Sequence, residues 1–257
     1  MPLVTRLIVF ALLAAGADAV RAADPPTVLI TGSNRGIGLA LTREYAAHGW
    51  HVIATARKPQ DATELLQLAA KDKNVTLEAL DVTDHAMVDA LARKLAGQPI
   101  DLLIHNAGIS GALPAQVLGH MDYQVFRQVL EVNTIAPMKL SETLLANIEH
   151  SSQKKIILIG TSEASLAGVN AARLYWYRSS KAAAHMLMLN LAYQLKDRGI
   201  SVAVINPGPV DTDMMKGVPM PLQSPAEAAA KVAAIVAGLN VANTGKFWNY
   251  RGGTIPW

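Results

Sequence analysis

An α/β fold, a parallel and doubly wound sheet with helices on both faces, is what this amino-acid sequence predicts. Three observations carry that expectation. From Thr27 onward, short apolar runs alternate with longer stretches of helical period, the rhythm of β-α-β units. The first apolar run opens directly into a glycine-rich turn, Gly32-Ser33-Asn34-Arg35-Gly36-Ile37-Gly38, ahead of the first helical stretch. No repeat, low-complexity tract or linker interrupts the pattern within the 257 residues, so one domain over 23–257 is expected.

Thr27–Thr31 is the first expected strand, its consecutive Val, Leu and Ile suiting a strand covered on both faces. A helix over 37–48 follows and is stopped by Gly49. His51–Ala56 reads as a second strand, 62–70 as a helix and 75–80 as a third strand. A helix over 85–95 leads to a fourth strand, Leu102–His105. Long apolar-periodic helices are expected over 123–145 and 179–196, with a fifth strand, 155–160, between them and a sixth, Ser201–Asn206, after them. The stretch 207–225 is rich in Pro, Gly and Met and suits a loop. A last helix over 226–238 and a strand over 246–250 complete a Rossmann-type, three-layer α/β/α single domain.

Composition narrows the functional classes. Twenty-three basic residues against 20 acidic ones give a net charge of +3, with no Lys/Arg run or stripe. A nucleic-acid surface needs a clustered basic face, so that partner is not expected. Cysteine is absent, which excludes disulfides, thiolate metal sites and cysteine nucleophiles. The seven His residues form no HExxH pattern, and no metal site is expected. At the start, Arg6, an apolar run over 7–17 and the small-x-small triplet Ala17-Asp18-Ala19 read as a secretory signal over 1–22, too short to span a bilayer comfortably. Val20-Arg21-Ala22 offers a second cut. A periplasmic or secreted location follows if that signal is used, and a cytoplasmic one if translation starts downstream.

In a doubly wound sheet, ligands bind beyond the carboxyl ends of the strands where the strand order reverses. Gly32 permits the turn, Gly36 lets backbone approach a pyrophosphate, and Gly38 lets helix pack on strand; helix N–H groups and dipole then favour phosphate. The lack of a following Gly-Lys-Ser/Thr excludes a P-loop. NAD usually meets a carboxylate at the end of the second strand, but here that strand ends Thr55-Ala56-Arg57. Arg35 and Arg57 together suit a 2′-phosphate, so NADP(H) is expected ahead of NAD(H), which remains possible; two solvated surface charges are the other reading.

The sharpest chemical pattern is Tyr177-Arg178-Ser179-Ser180-Lys181. An i, i+4 spacing puts phenol and ammonium on one helix face, where the ammonium should lower the tyrosine pKa and make a usable proton donor. Ser162, after the fifth strand, offers a hydroxyl to a substrate oxygen. Asn133 lies in an apolar helical stretch and must be satisfied there, structurally or within a water relay.

Together these residues resemble the compact, single-domain branch of the short-chain dehydrogenase/reductase family. The resemblance runs from Thr27 almost to the C-terminus. It rests on Thr31-Gly32-Ser33-Asn34-Arg35-Gly36-Ile37-Gly38, Asp81-Val82, Asn106-Ala107-Gly108, Asn133, Ser162, Tyr177 with Lys181, and Asn206-Pro207-Gly208, in that order. It implies that Tyr177 is the acid in reduction and the base in oxidation. Lys181 would lower its pKa and hold the nicotinamide ribose, Ser162 would position a carbonyl, and Asn133 would support a water relay. Asp81 and Val82 would contact adenine, Asn106 with Ala107 and Gly108 would hold the cofactor near the fourth strand, and Val210 and Thr212, beyond Pro207-Gly208, would cover the carboxamide. A homodimer or homotetramer is also implied.

His105 stands where the family often has Asn, and Ser162 precedes Tyr177 by 15 residues, more than in many members. An apparent insertion over 169–174 and the ending Gly245-Lys246-Phe247 … Ile255-Pro256-Trp257 are similar to the carbonyl-reductase-like subgroup that includes C-factor and sniffer proteins. A small apolar carbonyl or alcohol would bind among 110–121, 163–176 and 214–222. The competing reading is a non-catalytic dinucleotide-binding signalling protein on the same fold; the complete Tyr, Lys, Ser and Asn set argues against it.

Overall fold

The computed structural model describes residues 24–257, so the signal reading at 1–22 lies outside the described residues. Seven strands form one sheet: β1 (Thr27–Thr31), β2 (His51–Ala56), β3 (Val75–Ala79), β4 (Leu102–His105), β5 (Lys155–Ile159), β6 (Ser201–Asn206) and β7 (Phe247–Asn249). Their order is β3-β2-β1-β4-β5-β6-β7, every neighbouring pair parallel. The order reverses between β1 and β4, which opens a crevice at their carboxyl ends.

The central strands are buried from end to end because both faces are covered. Leu29, Leu103, Ile156, Leu158 and Val204 face one layer of helices, α3 (His85–Lys94), α5 (Ala136–Thr143), α6 (Leu145–Glu149) and α7 (Tyr175–Leu195). Ile30, Ile104, Ile157 and Ile205 face the other, α1 (Gly36–Ala47), α2 (Thr63–Lys71) and α8 (Pro225–Ala237). Alternation of side chains along each strand thus feeds two separate apolar layers. Among the described residues, no helix is long and apolar enough to cross a membrane.

The helix expected over 123–145 is interrupted. It forms as α4 (Tyr123–Leu130), a π-helical turn over Glu131–Ile135, and then α5 and α6. Pro137 has no N–H to give to the ladder, and the wider turn just before it accommodates that loss. The turn buries Asn133 and Thr134 against α7. Helix α7 starts earlier than the expected 179, which places Tyr177 inside its first turn.

Candidate active site

The glycine-rich loop closes the end of β1. Gly32 and Gly36 adopt φ of +70° and +55°, the left-handed region that glycine enters without strain. Gly38 is constrained differently: a Cβ there would lie 2.1 Å from the Gly32 carbonyl oxygen and 2.5 Å from Asn106 Nδ2. Arg35, the residue before α1, gives no side-chain cap, and the first turn of α1 carries no acidic residue. Its N–H groups therefore stay available to an anion. Ser33 is spent locally, its Oγ donating to the Ile30 carbonyl at 3.0 Å.

Thr31 and Asn106 tie the ends of β1 and β4 together. Thr31 Oγ1 accepts from the N–H groups of Asn106 (3.0 Å) and Ala107 (3.1 Å), and Asn106 Nδ2 donates to the carbonyls of Thr31 (2.9 Å) and Gly32 (3.1 Å). Gly108 follows, close to both Asn133 Oδ1 and Lys181 Nζ. Asp81 shapes its own turn by accepting from Thr83 N and Oγ1, with Val82 buried beside it.

Both amide hydrogens of Asn133 and one lone pair of its oxygen are engaged with protein. Its Nδ2 donates to the Ile109 carbonyl (2.8 Å) and Ser180 Oγ (2.9 Å), and its Oδ1 accepts from Ile109 N–H (2.9 Å). Thr134 Oγ1 donates to the Ser180 carbonyl at 2.8 Å, and Ser180 Oγ donates to the Tyr177 carbonyl at 2.8 Å. The π turn thereby grips α7 between Tyr177 and Lys181.

A cleft of about 280 Å³ lies over the carboxyl ends of β4, β5 and β6. Tyr177, Lys181, Thr161 and Glu163 line it beside Asn106, Gly108, Pro207, Gly208, Val210 and Thr212. Each of the three segments expected to form the pocket contributes: Ser110 and Leu113, then Glu163 and Leu174, then Met214, Met215 and Val218. Arg178 pins the loop over 163–174 by donating from Nε to the Glu163 carbonyl (2.8 Å) and from Nη1 to the Ala171 carbonyl (2.7 Å). Arg173 grips the Glu163 carboxylate with Nε and Nη2.

Ser162 is not brought into this cleft. It opens a one-turn helix over Ser162–Ala164 with its side chain exposed, while the preceding Thr161 is extended and lines the cleft beside the Tyr177 phenol. Adjacent residues leaving a strand point opposite ways, so only one of two neighbouring hydroxyls can face the substrate side. Thr161 and Ser162 both carry a hydroxyl at the end of β5, and spacing alone does not choose between them.

The electrostatics also depart from expectation. Burial pushes the Tyr177 phenol up to about 12; Thr161 pulls it down by hydrogen bonding and Glu163 adds to the rise. The lowering expected from Lys181 is not among these influences; the one that lowers comes from Thr161, and loss of solvation outweighs it. Lys181 itself is pushed down to about 8 by burial and donates to the Ile159 carbonyl at 2.9 Å. Two buried imidazoles feel its charge, His105 and His185, each pushed down to about 3 by burial and then by Lys181, so both are neutral. Ser141 Oγ donates to the Pro137 carbonyl, so the His105 Nε2–H donates to Ser141 Oγ at 2.8 Å.

The two arginines are not among the residues that line the cleft. Arg57 is exposed just past β2, and Arg35 is ion-paired with Asp213. The positive-φ glycine cradle, the uncapped start of α1 and the buried lysine ammonium fit a dinucleotide laid from β2 across to β5. Among the described residues, no cluster of three or more His, Asp or Glu side chains is placed to hold a metal ion.

Comparison with known proteins agrees with this arrangement. The family model of the short chain dehydrogenases matches residues 26–221. A 1-hydroxy-2-glutathionyl-2-methyl-3-butene dehydrogenase of Rhodococcus sp. (strain AD45) is 30% identical over 236 residues, covering 90% of this chain and 99% of the relative. An NADPH-bound carbonyl reductase from chicken fatty liver superposes with a TM-score of 0.83 at 31% identity, covering 91% of this chain and 99% of that one. The carbonyl reductase Sniffer of D. melanogaster gives 0.81 at 26% identity, covering 91% and 100%. The chain therefore belongs to the short-chain dehydrogenase/reductase family, an oxidoreductase of carbonyl-reductase-like type with a nicotinamide dinucleotide site.

Proposed function

We propose that the protein reduces a carbonyl compound to its alcohol with NADPH, Tyr177 giving the proton. The observation that carries this reading is the convergence of the Tyr177 phenol, the Thr161 hydroxyl and the Lys181 ammonium on one cleft beside the glycine loop. Hydride transfer to the carbonyl carbon is the chemistry a bound reduced nicotinamide supplies. Thr161 and Tyr177 hydrogen-bond the carbonyl oxygen, and the phenol protonates that oxygen as negative charge builds on it. Lys181 holds the nicotinamide ribose and puts positive charge next to the reacting oxygen. Asn133, through Ile109 and Ser180, keeps these groups in register. Leu113, Leu174, Met214, Met215 and Val218 give the substrate an apolar wall, which favours a small apolar carbonyl.

The full chain is to be assayed for NADPH and NADH oxidation across aldehydes, ketones and quinones. Thr161→Val should lower kcat/KM about 10²-fold, the usual cost of losing one donor at a developing oxyanion, while Ser162→Ala leaves it nearly unchanged. The reverse ranking would return the role to Ser162. Tight NADPH binding with no turnover on any carbonyl would favour a binding protein instead.

The NADPH preference has its own support in Arg35 within the glycine loop and Arg57 just past β2, the strand end where a 2′-phosphate would lie, and in the likeness to an NADPH-bound carbonyl reductase. An Arg35→Ala, Arg57→Ala double variant should weaken NADPH binding at least tenfold and leave NADH binding little changed, since each charged phosphate contact contributes roughly 1.5–3 kcal/mol. Full retention of the preference would refute this part of the reading.

A further inference from the structure

We propose that Asp213 is a cofactor-selecting residue: it competes with the 2′-phosphate for the Arg35 guanidinium, and so weakens NADP(H) binding while leaving NAD(H) binding alone. The proposal rests on Arg35 reading the 2′-phosphate. Arg35 Nη1 meets Asp213 Oδ2 at 2.5 Å, with side chains 71% and 69% exposed. The two residues come from segments that touch. A Cβ on Gly36 would lie 3.2 Å from the Thr212 methyl, so the loop after β6 rests directly on the glycine loop. Asp213 also begins the one-turn helix Asp213–Met215, whose Met214 and Met215 line the cleft.

Asp213 occupies only Nη1 of a guanidinium that has five N–H donors, but its carboxylate offsets the charge of Arg35 and draws the side chain towards the loop after β6. A 2′-phosphate arriving at Arg35 meets a guanidinium whose charge Asp213 already offsets, and its own charge of about −2 is repelled by that carboxylate. NAD(H) has only a hydroxyl at this position and meets no such repulsion. Because both partners face solvent, the pair is a weak, exchangeable one, and the expected penalty is several-fold rather than orders of magnitude.

The test is a fluorescence titration of the full chain with NADPH, NADH and 2′,5′-ADP, comparing wild type, Asp213→Asn, Arg35→Ala and the double variant at low and high salt. Asp213→Asn keeps the shape and removes the charge. It should tighten NADPH and 2′,5′-ADP about two- to fivefold, leave NADH unchanged, and lose the gain at high salt or when Arg35 is Ala. An equal shift for NADPH and NADH would mean that Asp213 only holds the loop, overturning the proposal. Unchanged or weakened NADPH binding would overturn it as well. If Arg35→Ala alone keeps the full NADPH preference, the reading of Arg35 fails first, and any gain in Asp213→Asn must then have another source.

Discussion

Replacing Tyr177 by Phe is expected to lower kcat for carbonyl reduction by about 10²–10⁴-fold, the usual worth of a positioned acid, with the NADPH dissociation constant nearly unchanged. The substitution removes one hydroxyl from a half-buried ring and leaves Thr161 and Lys181 in place. With its phenol near 12, Tyr177 is protonated throughout the neutral range, the form that reduction needs. Alcohol oxidation needs the phenolate, so its rate should rise with pH, about tenfold per unit while the phenol is the dominant form. Reduction should hold level below about 8 and decline above it as Lys181 loses its proton. Wild-type turnover in the Phe variant, or oxidation that falls as pH rises, would remove Tyr177 from the mechanism.

Lys181→Met should separate stability from activity. Burial lowers Lys181 from 10.5 to about 8, and at about 1.4 kcal/mol per pH unit the ammonium costs the fold roughly 3 kcal/mol at pH 7. Met fills similar volume without the charge, but leaves the Ile159 carbonyl short of a donor, which costs back about 1–3 kcal/mol. A net gain of about 1 kcal/mol is expected, a rise of roughly 2–4 °C in Tm for a chain of this size, together with a loss of turnover of about 10²-fold or more. The pH dependence identifies the cause. Between about 8 and 10.5 the unfolded wild type binds a proton at this lysine that the folded protein does not, so wild-type stability rises with pH over that window. The advantage of Met should therefore shrink from pH 8 upward, vanish near pH 9 and turn into a deficit of roughly 2 kcal/mol by about 10.5, where only the unpaired Ile159 carbonyl is left. A Met variant less stable than wild type at pH 7, or an advantage independent of pH, would show that burial of the charge is not what Lys181 costs.

Much of the fold was legible because it is written in local period. The apolar runs at Thr27–Thr31, His51–Ala56, Leu102–His105 and Ser201–Asn206 become strands with those bounds, since a parallel strand covered on both faces needs an unbroken apolar run. Over 123–145 the apolar period passes through the π turn without a break, so periodicity predicts one continuous helix; Pro137 is the local signal that the ladder cannot continue. The start of α7 is not legible in the sequence because Leu174, the residue before it, takes a left-handed φ of 50° that no composition rule announces.

The sequence alone determined the parallel α/β architecture, the glycine loop and the Tyr177–Lys181 pair, because helix spacing, strand period and the backbone freedom of Gly32 and Gly36 act within a few residues. Tertiary structure alone decided that Thr161 rather than Ser162 faces the cleft, that Arg35 is held by Asp213, and that Tyr177 is shifted up rather than down. Each of those depends on which groups from distant segments share one desolvated space. Burial and approach across the fold set their balance, and neither is encoded in the spacing of neighbouring residues.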